Sequence, residues 1–189
     1  MSSSTRVVLV DEDDQALGTA EKLRAHSEGR LHRALSIFVF DDAGRLLLQR
    51  RTPEKYHSGG LWSNTCCSHP HPEEPPLAAA RRRLREEMGF GCALTPLLHF
   101  TYRASVGDGL TEHEYDHVFV GAVDDVTVRP NPDEVADWTW TPARSIRAAV
   151  ASDPTRYTVW FRRLLDPVLA DVPAVPASEG PLPDALQNK

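Results

Sequence analysis

The chain has 189 residues, of which 41% are hydrophobic, and it carries a formal net charge of −6. This length and apolar fraction fit one compact domain with a core of its own. The negative charge argues against a basic face for nucleic acid, but it leaves room for a local basic pocket that binds a small anionic ligand.

Cysteine usage and hydropathy indicate the compartment. The three cysteines are Cys66, Cys67 and Cys92, an odd number with an adjacent pair, which differs from a secreted disulfide framework. The first fourteen residues contain no apolar region of signal-peptide length. No run reaches the roughly 20 apolar residues of a membrane span. We therefore expect a soluble, monomeric cytoplasmic protein without a membrane partner.

The first third of the chain is typical of strands with one short helix among them. Residues 6–18 (RVVLVDEDDQALG) predict a strand, a turn and the start of a second strand. Residues 19–27 (TAEKLRAHS) predict a short helix. Residues 31–51 predict a hairpin, because two apolar runs flank an Asp-Asp-Ala-Gly turn. Residues 61–67 (LWSNTCC) predict a short extended segment.

A longer helix follows over residues 72–90 (PEEPPLAAARRRLREEMGF). Pro75 and Pro76 suit its first turn, and Gly89 suits its C-terminal cap. The Ala, Leu, Arg and Glu residues between them have high helix propensity.

The second half of the chain predicts strands and then helices. Residues 97–105 and 110–123 predict two strands joined by Val-Gly-Asp-Gly, and residues 126–130 and 137–142 predict a further strand pair. Helices are predicted over residues 142–152 and 155–170. The last twenty residues carry four prolines and no apolar period, so we predict one domain over residues 1–170 and a disordered tail over 171–189. This order indicates an α+β fold, with a mixed or antiparallel sheet flanked by helices.

Side chains that bind metals recur at short spacings. Glu112 and Glu114 are two residues apart on a predicted strand, so both carboxylates project from one face and require a metal, an arginine or solvent to offset their repulsion. His26 and His32 lie at the entry to the first hairpin. With His69 they give three imidazoles and two carboxylates, a mixed set suited to Mn²⁺, Mg²⁺ or Zn²⁺. The alternative is that these histidines bind nothing. Three other histidines are interpreted as structural: His57, His99 and His117.

The adjacent cysteines leave several alternatives. A Cys₂His₂ zinc site within residues 66–71 and a disulfide between neighbours are both disfavoured, because the two cysteines are too close together in the chain. A reactive thiol at Cys67 remains, with a pKa that the helix starting near Pro75 could lower. The other alternative is that Cys66 and Cys67 are small buried hydrophobic residues.

Charged residues suggest an anionic ligand. Arg83 and Glu87 share one face of the predicted helix, although a solvated charged helix explains the pair equally well. Lys22, Arg50, Arg51 and Lys55 gather around the first hairpin. Beside a metal site such a cluster suggests a phosphate or diphosphate ligand, and ordinary surface charge is the alternative.

Residues 68–90 resemble a degenerate Nudix box, G-x5-E-x7-R-E-U-x-E-E-x-G-U, in which U is apolar. Seven residues fall in register: Glu74, Arg82, Leu84, Glu86, Glu87, Gly89 and Phe90. Two positions depart from the pattern. Ser68 replaces the glycine, and Arg83 replaces a glutamate that helps to bind metal in Nudix hydrolases, which weakens the hydrolase interpretation.

Residues from about 6 to 165 are similar to type I isopentenyl diphosphate isomerase. The similarity is carried by the segments RLHRALSIFVFDDAGRLLLQRR, LWSNTCCSHP, RRRLREEMGF, FTYRAS and EHEYDHVF. It implies a Nudix-like fold over residues 1–170 and an isomerase that interconverts isopentenyl and dimethylallyl diphosphates. The alternatives are a Nudix hydrolase of a nucleoside or isoprenoid diphosphate, and a non-catalytic metal-binding relative.

The resemblance also implies roles for individual residues. Its catalytic residues are Cys67 and Glu114, with Tyr102 beside that glutamate. Its metal ligands are His26, His32, His69, Glu112 and Glu114, and Glu87 helps to hold a second Mg²⁺ with the substrate. Its substrate-binding residues are Lys22, Arg51, Lys55, Arg83 and Trp160. Because the reaction needs an aromatic face that stabilises a cation, Trp62 is a second candidate for that group. The cofactor it implies is Mg²⁺ or Mn²⁺, with Zn²⁺ as an alternative at the His/Glu site.

Overall fold

A computed structural model describes residues 6–172 and residue 186 of the chain. Its strands are β1 (Arg6–Val10), β2 (Ala16–Glu21), β3 (His32–Asp41), β4 (Arg45–Arg51), β5 (Trp62–Ser63), β6 (Cys66–Ser68), β7 (Leu94–Gly107), β8 (Leu110–Val123) and β9 (Val135–Pro142). Its α-helices are α1 (Lys22–Ser27), α2 (Pro76–Met88), α3 (Ala143–Ser152) and α4 (Val159–Asp171), and a 3₁₀ turn spans Pro154–Arg156.

Strand β3 organises the sheet. It lies parallel to β8 along its full length, with His32 opposite Glu114. On its other side it meets β1 near its start, β6 at its middle and β4 at its end, all antiparallel. The sheet is therefore mixed and the fold is α+β, as the sequence predicts. The same register brings β6 and β8 to opposite sides of β3, and it is this placement that positions the site.

The core lies on both faces of this sheet. Because successive side chains of a strand point to opposite faces, Phe38 and Phe40 pack on the face that carries α4, beside its Phe161. Leu35 and Ile37 pack on the other face, beneath α2. Burying each such side chain stabilises the fold by about 1.5–3 kcal/mol. The sheet is thus held rigid between helices on both sides.

Helix α2 begins and ends where its sequence dictates. Pro75 is the N-cap and Pro76 the first helical residue, a position where the missing N–H costs nothing. Gly89 ends the helix with φ 75°, and a Cβ there would lie 2.2 Å from the carbonyl oxygen of Arg129. Only glycine fits this close approach.

The predicted strand over residues 126–130 is wrong. The N–H of Arg129 donates to the carbonyl of Met88, and the N–H of Asn131 donates to that of Glu87. These bonds satisfy the last carbonyls of α2, and Pro130 has no N–H to give to a strand ladder. β9 pairs with β4 instead.

Three other boundaries differ from the prediction. Residues 19–21 continue β2, so α1 starts only at Lys22. The extended segment 61–67 is split into β5 and β6, between which the side chains of Asn64 and Thr65 bond to the backbone. The last helix starts at Val159 rather than residue 155. The predicted tail over 171–189 lies outside the described residues, apart from residues 171, 172 and 186. In the part of the chain that the structure describes, no helix is long and apolar enough to cross a membrane.

Candidate active site

Four side chains from four elements meet at one point and form what we call the first donor group: His26, His32, His69 and Glu114. His32 lies opposite Glu114 in the β3–β8 register, and His69 directly follows β6. His69 Nε2 lies 3.2 Å from His32 Nε2 and 3.0 Å from Glu114 Oε1. The His26 ring, from α1, lies 4.8 Å from the His32 ring. The structure brings these four predicted residues together.

Two imidazoles of this group, those of His26 and His32, present an unprotonated Nε2 to its interior when they are neutral. His26 Nδ1 and His32 Nδ1 each lie 2.8 Å from a backbone carbonyl, of Lys22 and Arg30 respectively, so each Nδ1–H donates outward and leaves Nε2 unprotonated. Burial lowers the pKa of His26 to about 4 and holds the pKa of His69 well below its usual value. Neutral imidazole is the form that binds metal.

The spacing of these donor atoms fits a divalent cation. Ligand atoms about 2.1 Å from a metal, at ordinary coordination angles, lie roughly 3.0–3.5 Å from one another. The nitrogen–nitrogen and nitrogen–oxygen distances of 3.2 and 3.0 Å fall in that range. The buried donor set therefore suits a divalent metal ion.

Glu112 belongs to a second donor group, which it forms with His26 and His57. His57 Nε2 lies 3.5 Å from Glu112 Oε1. The single five-ligand set expected from the sequence is thus divided into two adjacent groups that share His26. His57, which the sequence analysis interprets as structural, has a ring that lines the site.

Tyr102 connects the two carboxylates. Its hydroxyl oxygen lies 2.8 Å from Glu112 Oε2 and 2.7 Å from Glu114 Oε2. Burial and the charge of Glu114 raise the pKa of Glu112 well above its usual value. Burial acts in the same direction on Glu114, but His32 and His69 outweigh it and hold its pKa well below the usual value. The Tyr102 hydroxyl can donate to either carboxylate, and it lies between one carboxyl whose pKa is raised and one whose pKa is lowered.

Cys67 faces the same space with a protonated thiol. Burial raises the pKa of Cys67 to about 12, and the charge of Arg51 offsets this only in part. The expected lowering of this pKa by helix α2 is therefore wrong. Ser63 Oγ lies 3.7 Å from the sulfur. The neighbouring Cys66 points to the opposite face, into the core beneath α2, so the interpretation as a buried hydrophobic residue holds for Cys66 alone.

These groups surround one cavity. Its lining residues are Lys22, Leu35, Arg51, His57, Cys67, Ser68, His69, Glu112, Glu114 and Trp160. The thiol of Cys67 and the carboxylate of Glu114 thus share a cavity that also has cationic and aromatic walls.

The cationic wall is formed by Arg51 and Lys22. The Arg51 guanidinium donates to the carbonyls of Ser58 and His57 and lies 5.2 Å from the centre of the Trp160 ring. The Lys22 ammonium lies 5.1 Å from the ring of Tyr56. Burial and the nearby charges of Lys55 and Arg51 lower the pKa of Lys22 to about 8. Two fixed positive groups beside neutral histidines suit a multivalent anion.

The other predicted substrate-binding residues do not line the cavity. Lys55 and Arg83 both form ion pairs with Glu134. Arg50 faces Asp137 and the ring of Trp62. Trp62 is buried away from the cavity, so of the two tryptophans considered only Trp160 reaches it.

The glutamates of the box-like helix α2 are held by arginines. Arg82 bonds Glu74 at 2.8 Å and Glu86 at 3.0 Å. Arg83 bonds Glu87, whose other oxygen accepts from Gln49 Nε2 at 3.1 Å. Glu87 is 3% exposed, so the solvated-helix alternative is wrong for this residue. It lies in neither donor group.

The sequence contained little signal for two residues of the site. His57 and Tyr56 lie in the loop 52–60 between β4 and β5, which has no hydrophobic period. The Tyr56 hydroxyl lies 3.4 Å from His26 Nε2, and the two rings meet edge to face. Only closure of this loop over the sheet brings the two residues to the site. The one local signal is Gly59-Gly60, which marks a turn.

Comparisons with known proteins agree with the geometry. Residues 30–161 match the NUDIX domain family. The chain is 54% identical over 165 residues to isopentenyl-diphosphate Delta-isomerase 2 of Aromatoleum aromaticum, covering 87% of each protein. It is 54% identical over 161 residues to the isopentenyl-diphosphate Delta-isomerase of Burkholderia multivorans, covering 85% of this chain and 91% of that protein. The fold is also similar to the crystal structure of DR0079 from Deinococcus radiodurans, with a TM-score of 0.71 and 20% identity over 89% of this chain and 99% of that one.

Proposed function

We propose that this chain, which belongs to the NUDIX domain family and within it to the isopentenyl-diphosphate Delta-isomerases, uses its cavity to interconvert isopentenyl diphosphate and dimethylallyl diphosphate. The observation that carries the proposal is that Cys67 and Glu114, the two proton-transferring groups, line one cavity with Trp160 and two cations. The reaction is a step of isoprenoid biosynthesis.

The chemistry requires two proton-transferring groups. An isolated alkene is a weak base, and protonating its terminal carbon produces a tertiary cation. Removing a proton from the neighbouring methylene then places the double bond in its new position. In the reverse direction the same two groups exchange roles, so Cys67 and Glu114 each act as acid in one direction and as base in the other.

Tyr102 and Glu112 support the carboxylate side of this pair. The chain of hydrogen bonds from Glu112 through Tyr102 to Glu114 can deliver a proton to Glu114 or accept one from it. A buried tyrosine between two carboxyl groups also fixes the orientation of Glu114 toward the cavity. We therefore assign Tyr102 the role of relaying and orienting the proton at Glu114.

The cation must be stabilised without being captured by water. The ring of Trp160 lines the cavity, and an aromatic face stabilises a positive charge by about 0.5–2 kcal/mol or more in a dry site. We assign this role to Trp160. The diphosphate serves as a handle that positions the five-carbon chain between thiol and carboxylate. Arg51 and Lys22 bind it, joined by Lys55 and Arg83 when these release Glu134.

A divalent metal belongs to the first donor group, with Mg²⁺ or Mn²⁺ as the proposed ion and Zn²⁺ as the alternative. When bound, it offsets the repulsion between Glu112 and Glu114 and tunes the acidity of Glu114. We assign Glu87 to a second Mg²⁺ that is held together with the substrate diphosphate. Cytoplasmic location and a monomeric state stay predictions from the sequence.

Hydrolysis of a diphosphate is the less favoured function. A hydrolase uses the glutamates of its box to hold metal, whereas here Arg83 occupies one of those positions and bonds Glu87. A hydrolase also has no use for a thiol that faces a glutamate across the cavity.

The test is incubation of the purified chain with isopentenyl diphosphate, with Mg²⁺ or Mn²⁺ or with a chelator. We expect proton NMR to show dimethylallyl diphosphate, phosphorus NMR to show no free phosphate, and the chelator to abolish turnover until metal is restored. Phosphate release without isomerisation would replace the proposal with the hydrolase reading.

A further inference from the structure

His57 lies inside the site although it comes from a loop. Its side chain is buried, and its ring stacks on that of His26 with centroids 5.5 Å apart. On the other side it meets the edge of Trp160 at 6.1 Å. Its Nε2 lies 3.5 Å from Glu112 Oε1. The ring therefore lies between His26, which belongs to the first donor group, and Glu112, which does not.

The position of His57 is fixed by the loop 52–60. Its carbonyl and that of Ser58 both accept from the Arg51 guanidinium, at 3.3 and 3.2 Å. At Gly59, a Cβ would lie 2.4 Å from the carbonyl oxygen of Pro53, so the loop closes this tightly only with glycine. These contacts of the loop therefore fix the position of the His57 ring in the site.

The contacts of His57 leave an electron pair facing the carboxylate. Its Nδ1 lies 3.2 Å from Ser58 Oγ, which accepts from it in the tautomer that is protonated at Nδ1. Nε2 then carries a free lone pair opposite Glu112 Oε1. At 3.5 Å this contact is long for a hydrogen bond but suits two ligands of one cation. The ligand atoms of His57, His26 and Glu112 all lie within 4.8 Å of one another.

We infer that His57 is a further metal ligand, which captures Glu112 and His26 into the coordination of the same ion. His26 has one free lone pair, because its Nδ1 bonds the carbonyl of Lys22. Because that lone pair can bind only one ion, we expect His57 and Glu112 to close on the ion that the first donor group holds. A fourth imidazole makes the site richer in nitrogen, so it favours Mn²⁺, Co²⁺ or Zn²⁺ over Mg²⁺.

This inference deepens the proposed function, because it adds a ligand to the metal site on which that function rests. Its test measures binding rather than turnover. The full chain is stripped with a chelator and titrated with Mn²⁺ and Co²⁺ in competition with a fluorescent chelator. The Co²⁺ visible spectrum reports the nitrogen donors.

His57→Phe is the main variant, because it keeps a ring against Trp160 and His26 but removes both nitrogens. We expect one ion per chain in the unaltered protein, and about 10–100-fold weaker Mn²⁺ and Co²⁺ binding in His57→Phe with a changed Co²⁺ spectrum. His57→Gln, which keeps an oxygen donor, should recover part of the affinity. The matched control is His99→Ala, an exposed histidine on β7, which should bind both ions like the unaltered protein.

Unchanged affinity and an unchanged Co²⁺ spectrum in His57→Phe would overturn the inference, and so would two tightly bound ions per chain. If the unaltered protein still isomerises its substrate in that case, the proposed function stands while the extra ligand is rejected. Weakened binding in His57→Phe with no isomerisation by the unaltered protein would reject the function and keep the ligand.

Discussion

The chain carries buried glutamates in two regions, on strand β8 and on helix α2, and their partners differ. On α2, Glu87 bonds Arg83 and Gln49, so the protein supplies its own positive charge. On β8, Glu112 and Glu114 contact a tyrosine hydroxyl and neutral histidines. The difference shows where a cation from solution is needed, because a buried carboxylate without a charged partner is costly.

Isomerase and hydrolase chemistry on this fold need their metal ion at different places. A hydrolase would need its cation at α2, where Arg83 now lies. Here the donors that suit a metal surround β8, and the same strand faces the thiol of Cys67 across the cavity. In this chain the metal-binding and proton-transferring residues therefore surround strand β8 rather than helix α2.

The largest effect should come from removing the thiol that faces the β8 glutamates. Cys67→Ala should reduce kcat by about 10²–10⁴-fold, because it removes one of the two proton-transferring groups. Steady-state assays with circular dichroism as a check on folding measure this. Cys66→Ala is the control and should reduce kcat little, since Cys66 lies in the core on the opposite face. Substantial turnover by Cys67→Ala would remove the thiol from the mechanism.

The two regions can be compared directly with matched substitutions. Glu114→Gln should reduce kcat by about 100-fold or more and weaken Mn²⁺ binding in the absence of substrate, because it removes a donor of the first group. Glu87→Gln should leave this Mn²⁺ affinity unchanged and act mainly on the KM for the diphosphate. Equal losses of substrate-free Mn²⁺ binding in both variants would contradict the assignment of the metal to β8.

Restoring the Nudix-box glutamate at position 83 should give α2, like β8, a group of carboxylates that requires a bound cation. Arg83→Glu leaves Glu87 and Glu134 without their arginine and should lower the free energy of unfolding by about 3 kcal/mol. Because the negative charge of the altered cluster then exceeds the positive charge that Lys55 supplies, Mg²⁺ should restore part of that loss by binding the folded state. Urea unfolding with and without Mg²⁺ measures both effects. Arg81→Glu, on an exposed position of the same helix, should show neither of them.

The hydrogen bond that links the β8 glutamates should matter less than the glutamates themselves. Tyr102→Phe keeps the ring but removes the hydroxyl between Glu112 and Glu114. We expect kcat to fall about 10–100-fold with KM nearly unchanged, because the relay acts on the proton and not on the diphosphate. A rise in KM with kcat preserved would assign Tyr102 to substrate binding instead.

The smallest effect is a pH dependence from the cationic wall. The Lys22 ammonium, with a pKa of about 8, is charged below that pH and loses its charge above it. The value of kcat/KM, which reports the free enzyme, should therefore fall as pH rises through about 8. Lys22→Arg keeps its charge, so this alkaline decline should move upward by more than one pH unit. A profile that is identical in both proteins would exclude Lys22 as its cause.

Local sequence patterns predicted strand β8 and helix α2, the two elements that carry the buried glutamates. Strand β8 spans the predicted residues 110–123, and its alternation places Glu112 and Glu114 on one buried face. Helix α2 ends at Gly89 as predicted, since the cap depends on one residue and its neighbours. The resemblance to a known family supplied the residues that meet at the first donor group.

What the patterns missed depends on contacts between distant segments. Residues 126–130 resemble a strand, but their N–H groups bond the end of α2. Cys67 is the last residue of the expected extended segment, but its burial raises the pKa of its thiol rather than lowering it. His57 has no periodic neighbours, and only the closure of its loop onto Arg51 brings it to Glu112.

The most direct test of the account is isomerisation in deuterated water. Isopentenyl diphosphate is incubated with the metal-loaded chain in D₂O, and the dimethylallyl diphosphate is analysed by NMR and mass spectrometry. Protonation of the terminal carbon from the cavity predicts one deuterium in a methyl group of the product at early times, and about 10²–10⁴-fold less of this deuterated product from Cys67→Ala in the same time. Dimethylallyl diphosphate formed at the normal rate without deuterium would contradict proton addition by exchangeable groups, and with it the roles of Cys67 and Glu114.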